Sequence, residues 1–409
     1  MLLLLIDLLK NVWGLHVPAV FEYFSTRMTL AAVTSLLVTI FCGKFFIKKL
    51  YELKIGYQVR SKECPLLGEL HRNKNDTPTM GGILILFALL VSLFLWMDWT
   101  NSFTLILLFV TLCAGGLGAC DDYLKLRYKS KRGLSARKKF GWQLLVAALV
   151  TLYLLWPPLG EWIHHGNWFH PPLAKEQVTL ASDPGPILAG NLSELSARDY
   201  VSRLYIPFVK RPLFLYSAAT ACLMGLVFLC AIIGSSNAVN LTDGLDGLAT
   251  GTVMLAASAF ALIAFITNNL DLSRYLHILY IEGSGEIAIF LSAVAGACLG
   301  FLWYNAYPAQ VFMGDTGSLP LGAILGVSAI CLGRALLLVL IGGVFVVEAL
   351  SVILQVGSYR LRNKKRIFLC APLHHHFEYK GWAETKVVIR FWIIGLLLAL
   401  VGIGSLKFQ

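Results

Sequence analysis

Residues 234–251 form a polar stretch between two long apolar runs, and they read GSSNAVNLTDGLDGLATG. Carboxamide and carboxylate side chains recur in it every three residues, at Asn237, Asn240, Asp243 and Asp246. In helical or 3₁₀ geometry this spacing places the four side chains on roughly one face. The stretch has no Lys or Arg, and an ordinary connection between membrane spans rarely needs four such groups in register. We interpret it as a binding site for a cation or a substrate.

The composition of the whole chain is that of a membrane protein. The 409 residues are 57% hydrophobic and 14% charged, with a mean hydropathy of +0.71, whereas about a quarter of the residues in soluble domains are charged. We expect an all-α integral membrane protein, with residues 1–409 forming one polytopic domain and residues 1–26 containing an interfacial helix. Apolar runs long enough to cross a ~30 Å hydrocarbon core as helices predict ten spans, near 27–47, 79–97, 102–120, 140–156, 213–233, 248–267, 286–305, 319–333, 335–356 and 387–406.

Positive charges predict the orientation, because Lys and Arg are retained on the cytoplasmic side of short loops. The loops after predicted spans 1, 3 and 9 are rich in Lys and Arg, whereas those after spans 2, 6 and 8 have almost none. Both termini are therefore expected outside, and the acidic loops after spans 5 and 7 share the cytoplasmic face with the basic loops. The net charge of +11 fits this topology and attraction to anionic lipid. Nucleic acid is not an expected partner, because no basic helix is interleaved with exposed aromatic residues.

One predicted external segment is long, residues 157–212 between spans 4 and 5. It is rich in Pro and has no Cys, so no disulfide within it is expected. Histidines and tryptophans cluster near its start, at His164, His165, His170, Trp162 and Trp168. They either form a metal site or cap the outer membrane interface, and the tryptophans favour the interfacial interpretation. The nine cysteines of the chain, scattered mostly through predicted spans without a C-x-x-C pair, are interpreted as small buried residues.

The segment before span 2 and the end of span 3 carry candidate groups for phosphate and metal chemistry. Residues 74–82 read KNDTPTMGG; Lys74, the Thr hydroxyls and the exposed amides can hold a phosphate, or Pro and Gly can simply start the helix. Asp121 and Asp122 follow directly at the inner end of span 3; on a helix they point about 100° apart and so cannot play one role. Because anions are disfavoured at a helix C-terminus, we favour a functional role for both carboxylates.

Two further motifs follow spans 7 and 9. Residues 312–318 read FMGDTGS and place Asp315 at the start of span 8, and residues 371–378 read APLHHHFE. Three consecutive histidines cannot all ligate one metal, so we expect them to contact phosphate or sugar. Acidic oxygens gathered at one membrane boundary suit Mg²⁺, which bridges diphosphate oxygens. The predicted chemistry is phosphoryl transfer from a soluble phosphorylated donor to a lipid acceptor.

Together these motifs resemble those of the phospho-N-acetylmuramoyl-pentapeptide transferase family. The matching strings are Lys74…Thr77-Pro78-Thr79-Met80-Gly81-Gly82, Asp121-Asp122, the stretch from Asn237 to Ala249, Phe312-Met313-Gly314-Asp315 and Pro372-Leu373-His374-His375-His376-Phe377-Glu378. The resemblance implies ten transmembrane helices and a homodimer in the bacterial inner membrane. It also implies Mg²⁺ and an active site on the cytoplasmic face, where phospho-MurNAc-pentapeptide passes from UDP-MurNAc-pentapeptide to undecaprenyl phosphate, giving lipid I and UMP.

The resemblance further implies roles for individual residues. It makes Asp315 the Mg²⁺ ligand and Asp121 the base or the partner of the acceptor phosphate, with Asp122 and His375 as further catalytic residues. The implied substrate-binding residues are Lys74, Thr77, Lys125, Lys139, Asn237, Asn240, Asp243, Asp246, His374 and His376, with the lysines on phosphates and Asn240 near the uridine. The chain departs from the family pattern at Asp76, where the family usually has Gly, and in the length of residues 157–212.

Two other kinds of protein share parts of this pattern. A polyprenyl-phosphate HexNAc-1-phosphate transferase shares the Asp-Asp and Asn…Asp motifs, but the Pro-Leu-His-His-His-Phe-Glu string favours the muramoyl-pentapeptide family. A secondary transporter would also be polytopic and basic inside, but it places ionisable groups in mid-span. In this chain only Glu348 lies deep in an apolar run. We expect backbone or polar groups of a neighbouring span to hold Glu348, with no direct part in catalysis.

Overall fold

The computed structural model describes residues 2–13, 18–52, 77–128, 133–177, 192–209, 211–214 and 218–408. Lys74 and Asp76, on which two of the predictions fall, lie outside these residues. The helices of the described chain are α1 (Leu2–Trp13), α2 (Phe24–Glu52), α3 (Gly82–Trp96), α4 (Ser102–Arg127), α5 (Ala136–Leu155), α6 (Pro157–Ile163), α7 (Ala197–Val201), α8 (Ala218–Thr242), α9 (Leu248–Thr267), α10 (Leu270–Leu276), α11 (Gly285–Asn305), α12 (Asp315–Cys331), α13 (Leu337–Ile341), α14 (Gly343–Leu361), α15 (Leu373–Tyr379) and α16 (Glu384–Ser405).

Each predicted span corresponds to a helix, and the chain is an all-α integral membrane protein. Among the described residues, eight helices are long and apolar enough to cross a membrane, and α3 and α12 are shorter apolar helices. The ninth predicted span is divided at Gly342 into α13 and α14. Residues 1–26, where an interfacial helix is predicted, contain α1 and a 3₁₀ turn at Ala19–Phe21. The position of α1 at the membrane interface stays a prediction. The orientation of the termini stays a prediction.

Helices α4 and α8 extend well beyond the apolar runs from which they were predicted. The prediction ended span 3 at residue 120 and span 5 at residue 233, whereas α4 reaches Arg127 and α8 reaches Thr242. Hydropathy marks the part of a helix that suits lipid, but a helix also continues where polar side chains find polar partners inside the bundle. The asparagines of the 234–251 stretch therefore lie on the last turns of α8 and not in a loop.

Helix α12 lies at the centre of the bundle. Every residue from Thr316 to Cys331 is buried, and its most extensive helix contacts are with α8 and α4. A Cβ placed on Gly118 of α4 would lie only 2.2 Å from the carbonyl oxygen of Asp315, which requires glycine there. Small residues permit this close backbone approach between membrane helices. The contact fixes the N-terminus of α12, which carries Asp315, against the end of α4.

The segment between α5 and α8 contributes two of the three strands of a small antiparallel sheet. Its strands are β1 (Leu173–Gln177), β2 (Leu192–Ser196) and β3 (Tyr280–Ile281), in the order β2-β1-β3. Strand β3 comes from the connection between α10 and α11, and Ala174 pairs with Ile281. The segment is thereby attached to the connection after the sixth predicted span. That residues 157–212 lie outside the membrane stays a prediction.

Candidate active site

Three carboxylates converge where α4 ends and α12 begins. Asp121 and Asp122 come from α4 and Asp315 is the first residue of α12, and one oxygen from each lies within 4.8 Å of the others. Asp121 and Asp122 are buried, whereas the Asp315 side chain is 15% exposed. Carboxylate oxygens are the ligands that hard divalent cations prefer. This acidic cluster, Asp121, Asp122 and Asp315, can therefore hold a metal ion.

Two lysines bridge the acidic cluster. Lys125 Nζ lies 2.6 Å from Asp121 Oδ2 and 3.0 Å from Asp315 Oδ2. Lys139 Nζ, from α5, lies 2.6 Å and 2.7 Å from the same two oxygens. Three carboxylates thus face two ammonium groups, which leaves one net negative charge. The predicted phosphate-binding lysines are in the cluster, but here their partners are the carboxylates.

The adjacent residues Asp121 and Asp122 have different partners. Asp122 Oδ2 accepts hydrogen bonds from the Thr316 N–H (2.9 Å) and from the Thr316 hydroxyl (2.7 Å). It thereby satisfies a donor in the first turn of α12 that has no partner within the helix. Asp121 Oδ1 accepts a hydrogen bond from the Leu134 N–H at 2.6 Å, and its other oxygen faces the lysines. Asp122 thus joins α4 to α12, while Asp121 faces the two cations.

Asn240 completes the surroundings of Asp315. Its Nδ2 donates to Asp315 Oδ1 at 2.8 Å and to Ser318 Oγ at 2.8 Å. The two oxygens of Asp315 therefore have different partners: Oδ1 accepts from a neutral amide, and Oδ2 faces two ammonium groups. Asn240 lies on the last turn of α8, so the cluster is built from α4, α5, α8 and α12.

Asp243 and Asp246 hold the segment that leads into Asp315. Asp243 Oδ2 accepts from the Gly314 N–H at 3.2 Å, and Asp246 Oδ2 accepts from the Ala309 N–H at 3.0 Å. Burial first, and then the negative charge of Asp315, raise the pKa of Asp243 to about 7. Both carboxylates thus fix the path of residues 309–314, which ends at the acidic cluster.

Asn237 departs from the predicted common face. Its Nδ2 donates to Gln143 Oε1 of α5 at 3.0 Å and to the Ile233 carbonyl at 2.8 Å, so it links α8 to α5. Three residues along an α-helix turn by about 300°, so each step moves the next side chain about 60° around the axis. In addition the helix ends at Thr242, which places Asp243 and Asp246 in a turn.

The threonine-proline segment lies beside the motif that carries Asp315. The Gly81 N–H donates to the Phe312 carbonyl (2.8 Å), and the Phe312 N–H donates to the Pro78 carbonyl (2.9 Å). Thr77 is buried at the start of this described segment. The backbone pairing brings the end of the 74–82 motif next to the acidic cluster, although these two motifs are far apart in the chain.

The three histidines lie on the short helix α15 in different surroundings. His374 is completely buried, so its ring is not presented to a ligand in this conformation. His375 Nδ1 lies 2.7 Å from Glu378 Oε2. His376 Nδ1 accepts from the Leu369 N–H at 3.1 Å, and burial, with the charge of Lys380, lowers the pKa of His376.

Comparison with known proteins identifies the family. Glycosyl transferase family 4 matches residues 187–333, and the phospho-N-acetylmuramoyl-pentapeptide-transferase signature 1 matches residues 74–86. A phospho-N-acetylmuramoyl-pentapeptide-transferase of Protochlamydia amoebophila (strain UWE25) is 60% identical over 100% of both chains. Proteins of the same name from Neisseria meningitidis serogroup C (strain 053442) and Leptospira biflexa are each 44% identical; the alignments cover 95% of this chain and 96% and 95% of theirs, respectively.

The chain belongs to the phospho-N-acetylmuramoyl-pentapeptide transferase family. It is therefore a membrane phosphotransferase. The transferase signature at residues 74–86 contains Gly81 and Gly82, whose N–H groups donate to the carbonyls of Phe312 and Met313, just before Asp315. In this family member the described parts of four motifs meet at or beside the acidic cluster, residues 77–82, 121–122, 240–246 and 312–315. The histidine motif contacts the turn at Gly244, and Asn237 is turned to α5.

Sequence reasoning missed several groups that build the site of this transferase. They are backbone or neutral groups without a charge pattern: the Leu134 N–H, Thr316, Ser318 and Gln143. It also missed the partner of Glu348, which is held by α15 and not by a neighbouring span: Glu348 Oε1 accepts from the His374 N–H at 3.1 Å. A buried carboxylate in an apolar run was the only available signal for that contact.

Proposed function

We propose that the chain transfers phospho-MurNAc-pentapeptide from UDP-MurNAc-pentapeptide to undecaprenyl phosphate, giving lipid I and UMP, with Mg²⁺ as cofactor. Membership of the phospho-N-acetylmuramoyl-pentapeptide transferase family supports this reaction. The observation that carries it is the acidic cluster with Lys125 and Lys139 at its centre. Phosphoryl transfer needs such opposed charges, because catalysis consists mainly of neutralising phosphates and aligning them.

The acidic cluster is suited to Mg²⁺. All of its charged ligands are carboxylate oxygens, and one oxygen from each of the three lies within 4.8 Å of the others. The net negative charge left after the two lysines favours a further cation. Asp315 would hold the ion, with Asp121 and Asp122 beside it, and the bound ion would offset the charge of the diphosphate.

Lys125 and Lys139 are the candidates for binding the diphosphate of the donor. Both ammonium groups lie between 2.6 and 3.0 Å from Asp121 and Asp315. An anionic diphosphate that enters the cluster offers oxygens of the same kind as these carboxylates. We propose that the lysines exchange carboxylate for phosphate partners and so orient the sugar-linked phosphorus.

In the reaction, an oxygen of undecaprenyl phosphate forms a bond to the phosphorus that carries MurNAc. The bond from this phosphorus to the bridging oxygen of the diphosphate breaks, and that oxygen leaves with UMP. Asp121 takes the remaining proton of the acceptor phosphate when it arrives as the monoanion. Alternatively, Asp121 itself attacks the phosphorus, and the acceptor then displaces it. Only this second course releases UMP without undecaprenyl phosphate.

The other site residues are proposed to bind substrate around this centre. Asn240 lies on the uridine side, and His375 on α15 contacts the donor. Asp122 keeps α4 and α12 together through Thr316. The remaining proposed contacts come from Lys74, Thr77, Asn237, Asp243, Asp246, His374 and His376, although His374 is buried and Asn237 bonds to Gln143 in this conformation. We further propose a homodimer in the bacterial inner membrane, with this site on the cytoplasmic face.

A reconstituted assay tests the proposal. Purified protein in detergent with lipid is given UDP-MurNAc-pentapeptide and Mg²⁺, with or without undecaprenyl phosphate, and UMP and lipid I are measured. We expect lipid I, and no UMP when a chelator replaces Mg²⁺. A parallel reaction with UDP-N-acetylhexosamine tests the related HexNAc-1-phosphate transfer. Product from this donor alone would overturn the assigned substrate.

A further inference from the structure

Glu348 is a charged residue in an apolar helix that the reaction above does not use. It lies in α14 and is completely buried, whereas Val347 and Leu350 beside it are 47% and 48% exposed. Its side chain therefore faces the bundle interior. A carboxylate at such a position is costly unless polar groups hold it.

Within the described chain, the polar partners of the Glu348 carboxylate belong to a single residue. The His374 N–H donates to Oε1 at 3.1 Å and to Oε2 at 3.5 Å. His374 Nδ1 lies 3.2 Å from Oε2. His374 is the second residue of α15, so its N–H is one of the donors that a helix start leaves without an intrahelical acceptor. Pro372, which precedes the helix, makes no side-chain cap there, and Glu348 takes the place of that cap.

The His374 ring also contacts the turn between α8 and α9. A Cβ placed on Gly244 would lie 2.3 Å from His374 Nε2, so the ring packs directly on the backbone of that turn. Gly244 lies between Asp243 and Asp246, which hold the segment leading to Asp315. His374 thus lies between the Glu348 carboxylate of α14 and the turn formed by residues 243–246.

His375 follows on the same short helix. Its ring centroid is 4.2 Å from that of His374, and Glu378 of α15 orients it. At the other end of α15, Phe377 stacks on Trp382 with ring centroids 4.6 Å apart. The C-terminal half of α15 is thus held by an aromatic contact, and its N-terminal half by Glu348.

We propose that Glu348 and His374 form a buried carboxylate–imidazole pair that positions α15 against the Asp243–Asp246 turn, so that Glu348 affects turnover through His375. Glu348 is in this sense a positioning residue that does not touch substrate. The part of this inference that concerns turnover rests on the proposed function, whereas the placement of α15 does not.

Hydrogen–deuterium exchange tests the placement without any assay of activity. In Glu348→Ala the His374 N–H loses its buried acceptor, so amides of residues 373–379 should exchange faster than in the native protein. Glu348→Gln keeps an amide oxygen of the same shape that can accept this N–H, and its exchange should stay close to native. Leu350→Ala, an outward-facing change in the same helix, is the control. Native exchange of α15 in Glu348→Ala would overturn the pair as the anchor of this helix.

Kinetics of UMP release test the link to His375. Misplacement of a reacting group by about 1 Å costs up to ~100-fold in rate, so we expect kcat of Glu348→Ala to fall by ~10- to ~100-fold while Glu348→Gln recovers most of the loss. In a His375→Ala background, Glu348→Ala should cause little further loss, because coupled residues are not additive. Equal losses in both backgrounds would show that Glu348 does not act through His375. Absence of UMP release by the native protein would refute the proposed function, while the exchange result would still decide the placement of α15.

Discussion

Asp315→Asn removes one negative charge from the acidic cluster and preserves the shape of the side chain. In the native cluster three carboxylates face two ammonium groups, and after the substitution two face two. Lys125 and Lys139 keep Asp121 Oδ2 at 2.6 Å, so neither ammonium group is left without a counter-charge. The amide oxygen can still accept from Asn240. We therefore expect the free energy of unfolding to fall by only about 1–2 kcal/mol, the scale of a weakened hydrogen bond to a charged group.

Turnover should respond far more strongly than stability. Asp315 is the proposed Mg²⁺ ligand and the partner of both lysines, so its charge acts where the diphosphate must be neutralised. Removing one preorganised electrostatic group from an active site costs about 10²- to 10³-fold in kcat. Since each tenfold change corresponds to about 1.4 kcal/mol, the barrier should rise by about 3–4 kcal/mol. The two expectations together predict a folded, nearly inactive protein.

The assay measures UMP release over a series of Mg²⁺ concentrations, with the thermal midpoint recorded for each variant. Asp271→Asn is the matched control, because it makes the same chemical change at an exposed residue at the start of α10. It should leave both measurements unchanged. Near-normal turnover of Asp315→Asn with unaltered Mg²⁺ dependence would refute the assignment of Asp315 as the metal ligand. A collapse of the thermal midpoint would refute the charge balance described above.

Three further substitutions test neighbouring parts of the site. Asp121→Asn should slow UMP release less at pH 9 than at pH 6, because phosphate monoesters have a second pKa of about 6 and need no base above it. An equal loss of rate at both pH values would show that Asp121 does not act as a base. Asp122→Ala should lower the free energy of unfolding by about 1–3 kcal/mol in thermal or denaturant melts, since two donors in the first turn of α12 lose a buried acceptor, and native stability would contradict that contact. Gly118→Leu should abolish UMP release by pushing α4 away from α12. Gly116→Leu is the control and should stay active, because a Cβ at Gly116 would meet nothing within 4 Å; equal activity of the two variants would contradict the close packing of α4 on α12.

The sequence was informative where one physical pattern repeats. Apolar runs of sufficient length predict spans because lipid leaves helices few alternatives, and every predicted span contains a helix. The motifs around Asp121, Asp243 and Asp315 could also be recognised, because clustered carboxylates at span ends are otherwise unfavourable. Their convergence at one cluster follows from placing the ends of several spans at the same membrane boundary.

The contacts that hold these groups could not be predicted in the same way. Asn237 differs from Asn240 only in its angle around α8, and that angle depends on where the helix ends. The partner of Glu348 is a backbone N–H of α15, which every residue except proline possesses. No pattern in the sequence distinguishes this N–H from any other, so only the packing of α14 against α15 reveals the contact.

Helix lengths explain why the cluster is enclosed on the predicted cytoplasmic face. At ~1.5 Å per residue, α12 with 17 residues is ~25 Å long and α3 with 15 residues is ~22 Å long, both less than a ~30 Å hydrocarbon core. In contrast, α4 with 26 residues and α8 with 25 residues reach ~37–39 Å. The short helices begin at the cluster, and the polar ends of the long helices, carrying Asp121, Lys125 and Asn240, continue beside it. The start of each short helix therefore lies beside the polar last turns of the long helices, and there we propose that a soluble diphosphate and the phosphate of a membrane lipid meet the same carboxylates.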